Sequence, residues 1–167
     1  VQWCAPPLAP KPNMYFNWSI LIPPKTGPST VAPEKGSDTL SAKPETVSDP
    51  ATPEGPGIDG KLPVELYFHP DGYSYAQPSK KLIDASIQIA PHDYPDSGWY
   101  GFNSLWGTGK DLAGGVVSNH TQKRIIAFLD WARKTLPVDP DRIIAVGADG
   151  AAALAINYPD VFAFVRI

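Results

Sequence analysis

The chain has 167 residues, 43% of them hydrophobic and 19% charged, which is enough to bury the core of one compact domain. The formal net charge is −3 and no basic run occurs, so the composition argues against nucleic acid or an anionic membrane surface as a partner. No apolar run reaches the ~18–20 residues that a transmembrane helix requires, so we expect no membrane span.

The first third of the chain is rich in proline and polar residues. Residues 1–12 show no hydrophobic periodicity, whereas residues 14–22 are aromatic and β-branched and stop at two prolines, which predicts a strand. Residues 23–60 are mainly Pro, Ser, Thr, Glu and Gly, and such a tract cannot bury enough apolar surface to offset the entropy of ordering it. We therefore expect 1–22 to be an N-terminal segment with a first strand, and 23–60 to be a flexible insertion or linker.

Strand-like and helix-like segments alternate over residues 61–167. The predicted strands are 61–72, 81–91, 142–147 and 161–167, and the predicted helices are 118–137 and 150–158. This alternation implies βαβ units and a mostly parallel sheet with flanking helices, so the predicted fold class is α/β. The last two strands are continuously apolar, which is typical of strands that are buried on both faces.

The helix predicted over 118–137 has recognisable ends and a buried stripe. Asn119 is a suitable N-cap, with Gln122 three residues later as in a capping box, and Pro137 ends the helix. Trp131 lies near the apolar stripe, and we expect it to pack in the core. The stripe itself consists of residues at spacings of four, three and four, namely Ile125, Leu129, Ala132 and Leu136.

A run of small residues, Gly147-Ala148-Asp149-Gly150-Ala151, separates the third strand from the second helix and predicts a very tight strand–turn–helix. With the stretches around it, this turn resembles the α/β-hydrolase superfamily, in particular the branch of secreted esterases, polyester depolymerases and prolyl-oligopeptidase-like enzymes. The resemblance covers 61–167 and implies that these residues form the N-terminal half of a hydrolase domain. The stretches that carry it, besides the turn, are 68–72, 89–91, 98–103, 138–143 and 158–163.

In the resembled branch the central residue of this turn is a nucleophilic serine, flanked by small residues because the backbones pass close together. Asp149 occupies that position in this chain. The resemblance implies that backbone N–H groups of Gly150, and of Asp71 and Gly72 in an earlier loop, form an oxyanion hole. Pro70 has no N–H to donate and Asp71 would add a negative charge, so an ordinary turn in that loop is an equal alternative.

Three interpretations of Asp149 are open. It could cap the following helix in a domain that has lost its nucleophile, and Asp is among the preferred N-cap residues. It could act as a carboxylate nucleophile that forms an ester intermediate, as in the similar haloalkane dehalogenases and epoxide hydrolases. It could also replace a serine by engineering. We favour the first over the second, and the third stays open beside the first. We expect a hydrolase-family domain, related to extracellular esterases or peptidases, that serves as a binding or structural module.

The resemblance also bears on location, cofactors and partners. Cys4 is the only cysteine, which excludes a disulfide within the chain and by itself leaves a cytosolic location open. Similarity to secreted enzymes implies an extracellular or periplasmic location, and no cofactor is implied. The acid and histidine of a triad would lie beyond Ile167, because the fold orders them after the nucleophile. The expected partner is therefore the C-terminal half of the same domain, or a second chain.

The three histidines do not fit the order of a hydrolase triad. His69 is expected to order the loop after its strand. His92 and Asp93 together are too few ligands for a metal site, so we expect a solvated loop and no bound metal. His120 falls in the first turn of a helix and is expected to be exposed.

An aromatic, glycine-rich loop follows the second strand of the predicted sheet, where ligands bind in open α/β folds. Its aromatic residues could form a substrate-binding platform, or they could close the core over the end of the sheet. These residues are Trp99, Tyr100, Phe102 and Trp106.

Overall fold

The computed structural model describes residues 1–11, 13–24, 60–77, 80–93 and 96–167. The insertion expected at 23–60 lies outside the described residues, apart from its first two positions and its last. The strands are β1 (Gln2–Cys4), β2 (Met14–Phe16), β3 (Trp18–Leu21), β4 (Leu62–Tyr67), β5 (Ile87–Pro91), β6 (Val138–Val146) and β7 (Phe164–Arg166). The helices are α1 (His120–Thr135) and α2 (Asp149–Asn157), with short 3-10 turns at Leu112–Gly114 and Pro159–Val161.

The strands form two sheets. β1 and β2 pair antiparallel in a small sheet, with Trp3 opposite Tyr15. Among the described residues, the main sheet has five strands in the order β3-β5-β4-β6-β7, and of these only the edge strand β3 runs antiparallel to its neighbour. The α/β prediction is confirmed at this level: the sheet is mixed and mostly parallel, and two α-helices follow its strands.

Several predicted strands have different bounds in the structure. The predicted strand 14–22 divides at Asn17, because Phe16 is buried against Cys4 and Ala9 beside the small sheet, while Trp18 packs against the main core. The predicted strand 81–91 begins only at Ile87. The predicted strand 161–167 shortens to three residues, because the chain first makes a 3-10 turn. A strand at Gln2–Cys4 was not predicted.

The main core lies between the parallel strands and the two helices. Burial on both faces was predicted for the two apolar runs 143–147 and 161–165. In the first run Ile143, Ala145 and Val146 are buried, in agreement with the prediction. For the second run the prediction was wrong, because β7 lies at the edge of the sheet and Phe164 is 58% exposed.

Of the predicted stripe on α1, Ile125, Leu129 and Ala132 are buried, whereas Leu136 is half-buried. The prediction for Trp131 was wrong: it is 44% exposed, and its ring packs tilted against that of Phe128, with centroids 5.0 Å apart.

The predicted start of α1 is partly correct. Asn119 is the N-cap residue, but its side chain makes no capping hydrogen bond. Gln122 does not close a capping box, because its amide is used elsewhere: it donates to the carbonyl of Ala153 and accepts from Asn157. The start of α1 is therefore fastened to α2 rather than to its own first turn. None of the helices in the described part of the chain is long and apolar enough to cross a bilayer.

An ion pair secures the start of β6. Arg142 Nε donates to Asp139 Oδ2 over 2.7 Å, and Arg142 Nη2 donates to the carbonyl of Lys61 over 3.1 Å, next to the start of β4. The hydrogen bond from Arg142 lowers the pKa of Asp139, and the N–H of Asp141 adds to the effect. Because the folded pKa is depressed, the pair stabilises the fold above the unfolded pKa of about 4, and this stability is lost as pH falls through the folded pKa.

We therefore expect Asp139→Asn to lower the free energy of unfolding at neutral pH by no more than about 1 kcal/mol, since the pair is partly exposed. The difference in the free energy of unfolding from wild type should vanish in strong acid, where the wild-type Asp139 is protonated and therefore neutral like the asparagine that replaces it. Urea unfolding at neutral and acidic pH measures this, with Asp160→Asn as a control at an exposed carboxylate. A difference that persists unchanged in acid would contradict the assignment.

Candidate functional site at the carboxyl ends of β4 and β6

The order of the strands identifies one place where a ligand site is expected. The chain passes from β4 to β5 on one side, and then crosses back over β4 to form β6 on the other. The direction of strand addition thus reverses between β4 and β6. In open α/β sheets, ligands bind outside the carboxyl ends of the strands at such a switch point. Phe68 and His69 follow β4 there, and the turn at 147–151 follows β6.

The turn after β6 lies directly against the end of β4. The N–H of Phe68 donates to the carbonyl of Val146 over 2.8 Å. Gly147 has a φ of 135°, and a Cβ atom at this position would lie 2.4 Å from the carbonyl oxygen of Phe68. Only glycine avoids both this contact and the strain of the backbone angle. The tightness predicted from the small residues thus has its cause in Phe68.

Small residues are also required after Asp149. A Cβ at Gly150 would come within 2.6 Å of the Phe68 ring and 2.7 Å of the Trp99 ring. Ala151 is fully buried in the core. The first turn of α2 therefore rests on two aromatic rings that leave no room for a side chain at position 150.

Asp149 itself is exposed and is the first residue of α2. The expectation that it caps this helix was wrong: the N-cap is Ala148, and no side chain caps the helix. No hydrogen bond or ion pair joins the carboxylate of Asp149 to another described residue. The backbone of Asp149 does not have a positive φ. The positive φ of the turn lies at Gly147 instead, where glycine adopts it without strain.

The loop expected to complete an oxyanion hole is a closed turn. The N–H of Tyr73 donates to the carbonyl of Pro70 over 3.1 Å, and Gly72 has a φ of 77° at the third position, as a type II turn requires. Asp71 and Gly72 are both exposed. This geometry favours the ordinary-turn alternative, in which Gly72 serves the backbone conformation of the loop.

His69 orders the loop after β4, as predicted. Its ring is 7% exposed, its Nδ1 lies 2.9 Å from the carbonyl oxygen of Pro70, and the N–H of Asp93 points to its Nε2 over 3.3 Å. The carbonyl can only accept and the N–H can only donate, so the tautomer with its proton on Nδ1 satisfies both. The ring therefore joins the ends of β4 and β5.

Asp93 is a buried organising residue, so the prediction of a solvated loop was wrong. Its Oδ2 accepts hydrogen bonds from the N–H groups of Ser97 and Trp99, at 2.8 and 2.9 Å, and its Oδ1 accepts one from the Ser97 hydroxyl. That hydroxyl also lies 2.8 Å from the Thr121 hydroxyl at the start of α1. The carboxylate bends the loop so that Trp99, with a φ of 60°, turns inward.

The aromatic loop divides into two parts. Trp99 is 4% exposed and packs edge-on against Phe68 and His69, so it closes the core beneath the turn. Tyr100 is exposed at the surface. Phe102 and Trp106 line a cavity of about 320 Å³ beside the start of α1. The structure thus separates residues that the sequence grouped as one platform.

His120 lines the same cavity, and the expectation that it is exposed was wrong. Its side chain is 4% exposed, because Phe102 covers it with ring centroids 4.8 Å apart. Burial lowers the pKa of His120, and the charge of Arg124 one turn later lowers it further, against smaller opposing effects of Asp93 and the Ser118 carbonyl. Sequence alone had one usable signal, the glycine at 101 that lets the loop approach the helix.

Arg124 is the buried charge of this region. Its guanidinium lies over the Phe16 ring, 3.4 Å from the centroid, and one nitrogen donates to the carbonyl of His92. Burial lowers the pKa of Arg124 to about 10, with Cys4 and Asp93 acting in the opposite direction. The pKa of His92 is lowered by the partial burial of its own ring, and the neighbouring His69 and Arg124 lower it further, against an opposing effect of Asp93. Arg124 therefore fastens the small sheet and α1 together.

Within the described ranges, no three His, Cys, Asp or Glu side chains are grouped so that they could hold a metal ion.

No protein-family model matches the chain, and no curated protein matches it significantly. The chemical reading of the site therefore depends on its own geometry.

Proposed function

We propose that the chain is an α/β-hydrolase-related domain in which Asp149 occupies the nucleophile position, and that it acts as a binding or structural module without hydrolytic turnover. The observation that carries this proposal is the turn at the switch point, where Gly147 and Gly150 pack against Phe68 and present an exposed carboxylate. The similarity to secreted esterases supports an extracellular or periplasmic location for such a module.

In the part of the chain that the structure describes, no general base is hydrogen-bonded to Asp149, and this favours the inactive form of the proposal. A serine or carboxylate nucleophile needs a base, either to activate it or to activate the water that releases the intermediate. Among the described residues, no histidine is hydrogen-bonded to Asp149, and the ring of His69 already serves two backbone groups. The carboxylate is then a solvated charge at the start of a helix, which favours α2 modestly through the helix dipole.

The edge of the main sheet formed by β7 is a surface on which a further strand could pair. β7 pairs with β6 on one side, and in the described part of the chain no strand pairs with its other side. Phe164 on β7 is 58% exposed and Ile156 on α2 is 80% exposed. Open edges with apolar faces favour pairing with another strand. We propose that further strands, from the same polypeptide or from a second chain, cover this edge.

Hydrolysis of p-nitrophenyl acetate tests the proposal. We expect the wild-type chain and Asp149→Ala to release nitrophenol at the same rate as buffer, because no described base is hydrogen-bonded to the residue at position 149. Wild-type turnover that Asp149→Ala abolishes would contradict the proposal and favour an aspartate nucleophile. Asp149→Ser is the third variant: turnover gained by this change alone would show that a complete site surrounds a replaced serine. Asp160→Ala controls for general effects of removing a carboxylate.

A further inference from the structure

A groove lies beside the small sheet, between β2 and the chain that follows β5. We call it the β2 groove. Its volume is about 400 Å³, and it is separate from the turn after β6, since Asp149 and Gly150 do not line it. His92 lines it on the side of β5, and the rest of its lining is a run of consecutive residues along β2, namely Asn13, Met14, Tyr15, Phe16 and Asn17.

The wall of the groove is the open edge of β2. This strand pairs with β1 along one edge, and among the described residues no strand pairs with its other edge. No residue of β1 lines the groove, so the groove lies on the side of β2 that faces away from β1. The N–H and C=O groups on that side are directed towards the groove, and in the described part of the chain no backbone hydrogen bond uses them.

The course of the chain at Asn17 opens the groove. β3 pairs antiparallel with β5, and this pairing ends with Trp18 opposite Pro91. The next pair in this register is Asn17 with His92, but the chain turns away there and β2 pairs with β1 instead. The groove therefore begins where one ladder of backbone hydrogen bonds ends, at a place that an added strand can continue.

Two asparagine side chains at the ends of the wall have no partner. Asn13 is exposed and Asn17 is half-buried, and neither side chain is hydrogen-bonded to a described residue. Neither amide is closed to solvent, so a bound molecule can reach both. A primary amide has N–H donors and a carbonyl acceptor, like a peptide bond, and it pairs well with peptide groups. The two amides thus extend the hydrogen-bonding capacity of β2 beyond both of its ends.

The groove is neutral, which limits the class of partner. Its lining holds no Asp, Glu, Lys or Arg side chain. Partial burial of its own ring lowers the pKa of His92, and His69 and Arg124 lower it further, so the imidazole is uncharged at neutral pH. Arg124 itself is 1% exposed and lies over the Phe16 ring, so its charge is not presented to the groove. An uncharged partner is therefore favoured over an anion.

We propose that the β2 groove binds an extended, uncharged peptide segment of a partner protein, which adds to the open edge of β2 as a further strand. A row of backbone groups at strand spacing is complementary to another extended backbone. Asn13 and Asn17 bind the peptide groups that reach beyond the strand. Tyr15 is 58% exposed, with its ring centroid 5.4 Å from that of Trp3, and it packs against a β-branched side chain of the peptide. This binding does not depend on Asp149 or on the hydrolase proposal.

NMR titration of the whole chain with the blocked peptide acetyl-Thr-Val-Thr-Val-Thr-amide tests the proposal, because this peptide is uncharged and favours an extended backbone. We expect saturable shifts at the backbone amides of 14–16 and at the side-chain amides of Asn13 and Asn17, and none at β7, the open edge of the main sheet. The same peptide with its internal amides N-methylated cannot donate to a strand and should give no saturable shift. Saturable binding of the methylated peptide, or shifts confined to β7, would overturn the proposal.

Two further measurements identify other occupants of the groove. Methyl glucoside is titrated in parallel, and saturable shifts at 13–17 with this sugar but not with the peptide would assign the groove to a neutral sugar. The free protein is also diluted stepwise, and concentration-dependent shifts at the same amides would assign the groove to a second copy of this chain. Either result would refute a partner peptide, and we expect neither.

Substitution of the two asparagines tests their part in binding. Asn17→Ala should weaken peptide binding about fivefold, and Asn119→Ala is its matched control, because Asn119 is also half-buried and makes no side-chain capping bond but does not line the groove. Asn13 has a φ of 59°, so Asn13→Gly removes its amide without strain and should also weaken binding about fivefold. If Asn17→Ala does not fold, Asn13→Gly still decides. Wild-type affinity in the folded variants would show that the amides take no part and that the proposal is wrong.

Discussion

Gly147→Ala is expected to lower the free energy of unfolding by about 2–4 kcal/mol, because backbone strain and a steric clash add at this position. The residue has a φ of 135°, where L-amino acids are strained, and its Cβ would lie 2.4 Å from the carbonyl oxygen of Phe68. That oxygen belongs to the backbone at the end of β4 and cannot move without opening the β4–β6 pairing. Urea unfolding, monitored by tryptophan fluorescence, measures the loss.

Gly72→Ala is the matched control for this change. Gly72 also has a positive φ, 77°, but a Cβ there would meet nothing within 4 Å. Its substitution should therefore cost only the strain of a left-handed alanine, about 1–2 kcal/mol. The excess loss at Gly147 then reports the contact with Phe68. Equal losses for the two variants would show that the turn after β6 can relax, and that close packing against β4 does not define it.

The tight turn was predictable because its small residues are consecutive in the sequence. The glycines and alanines around Asp149 predicted a close approach of other groups to the backbone of the turn. The structure identifies these groups as Phe68 and Trp99. The alternation of strands and helices likewise predicted the α/β class, since each apolar run is continuous in the sequence. The sequence could not reveal which aromatic rings would press on the helix start, because they come from two distant segments.

The errors at His120 and in the strand at 14–22 come from contacts between distant segments, and the error at Asp93 comes from hydrogen bonds within its own loop. His120 was expected at the surface because a first-turn residue is usually solvated, but a loop preceding α1 folds over it and Phe102 covers the ring. Asp93 was expected in a solvated loop, although its carboxylate collects two backbone N–H groups and the Ser97 hydroxyl. The strand at 14–22 was expected to be continuous, because alternation alone cannot say which sheet each half will join.

Glu65 is a buried residue for which the apolar pattern of its strand offered no explanation. It lies in the central strand β4 and is fully buried. Its carboxyl oxygens accept hydrogen bonds from the N–H of Leu82 at 2.9 Å, the N–H of Ile83 at 2.8 Å, and the Ser86 hydroxyl at 2.6 Å. The side chain thus fixes the turn that leads into β5, which explains why that strand begins later than its composition suggested.

We expect Glu65→Ala to lower the free energy of unfolding by about 3–5 kcal/mol, because two buried N–H groups and a hydroxyl lose their acceptor and a cavity remains. Glu65→Gln keeps one acceptor oxygen and should cost about half as much, whereas Asp84→Asn, at an exposed position of the same turn, should change stability by less than about 0.5 kcal/mol. Urea unfolding gives the three values. Amide hydrogen exchange in Glu65→Ala should show the Leu82 and Ile83 amides exchanging far faster than those of β6, because the turn opens before the sheet does. Unchanged protection at these two amides, together with a loss below about 1 kcal/mol, would mean that other groups hold the turn and that Glu65 does not fix the start of β5.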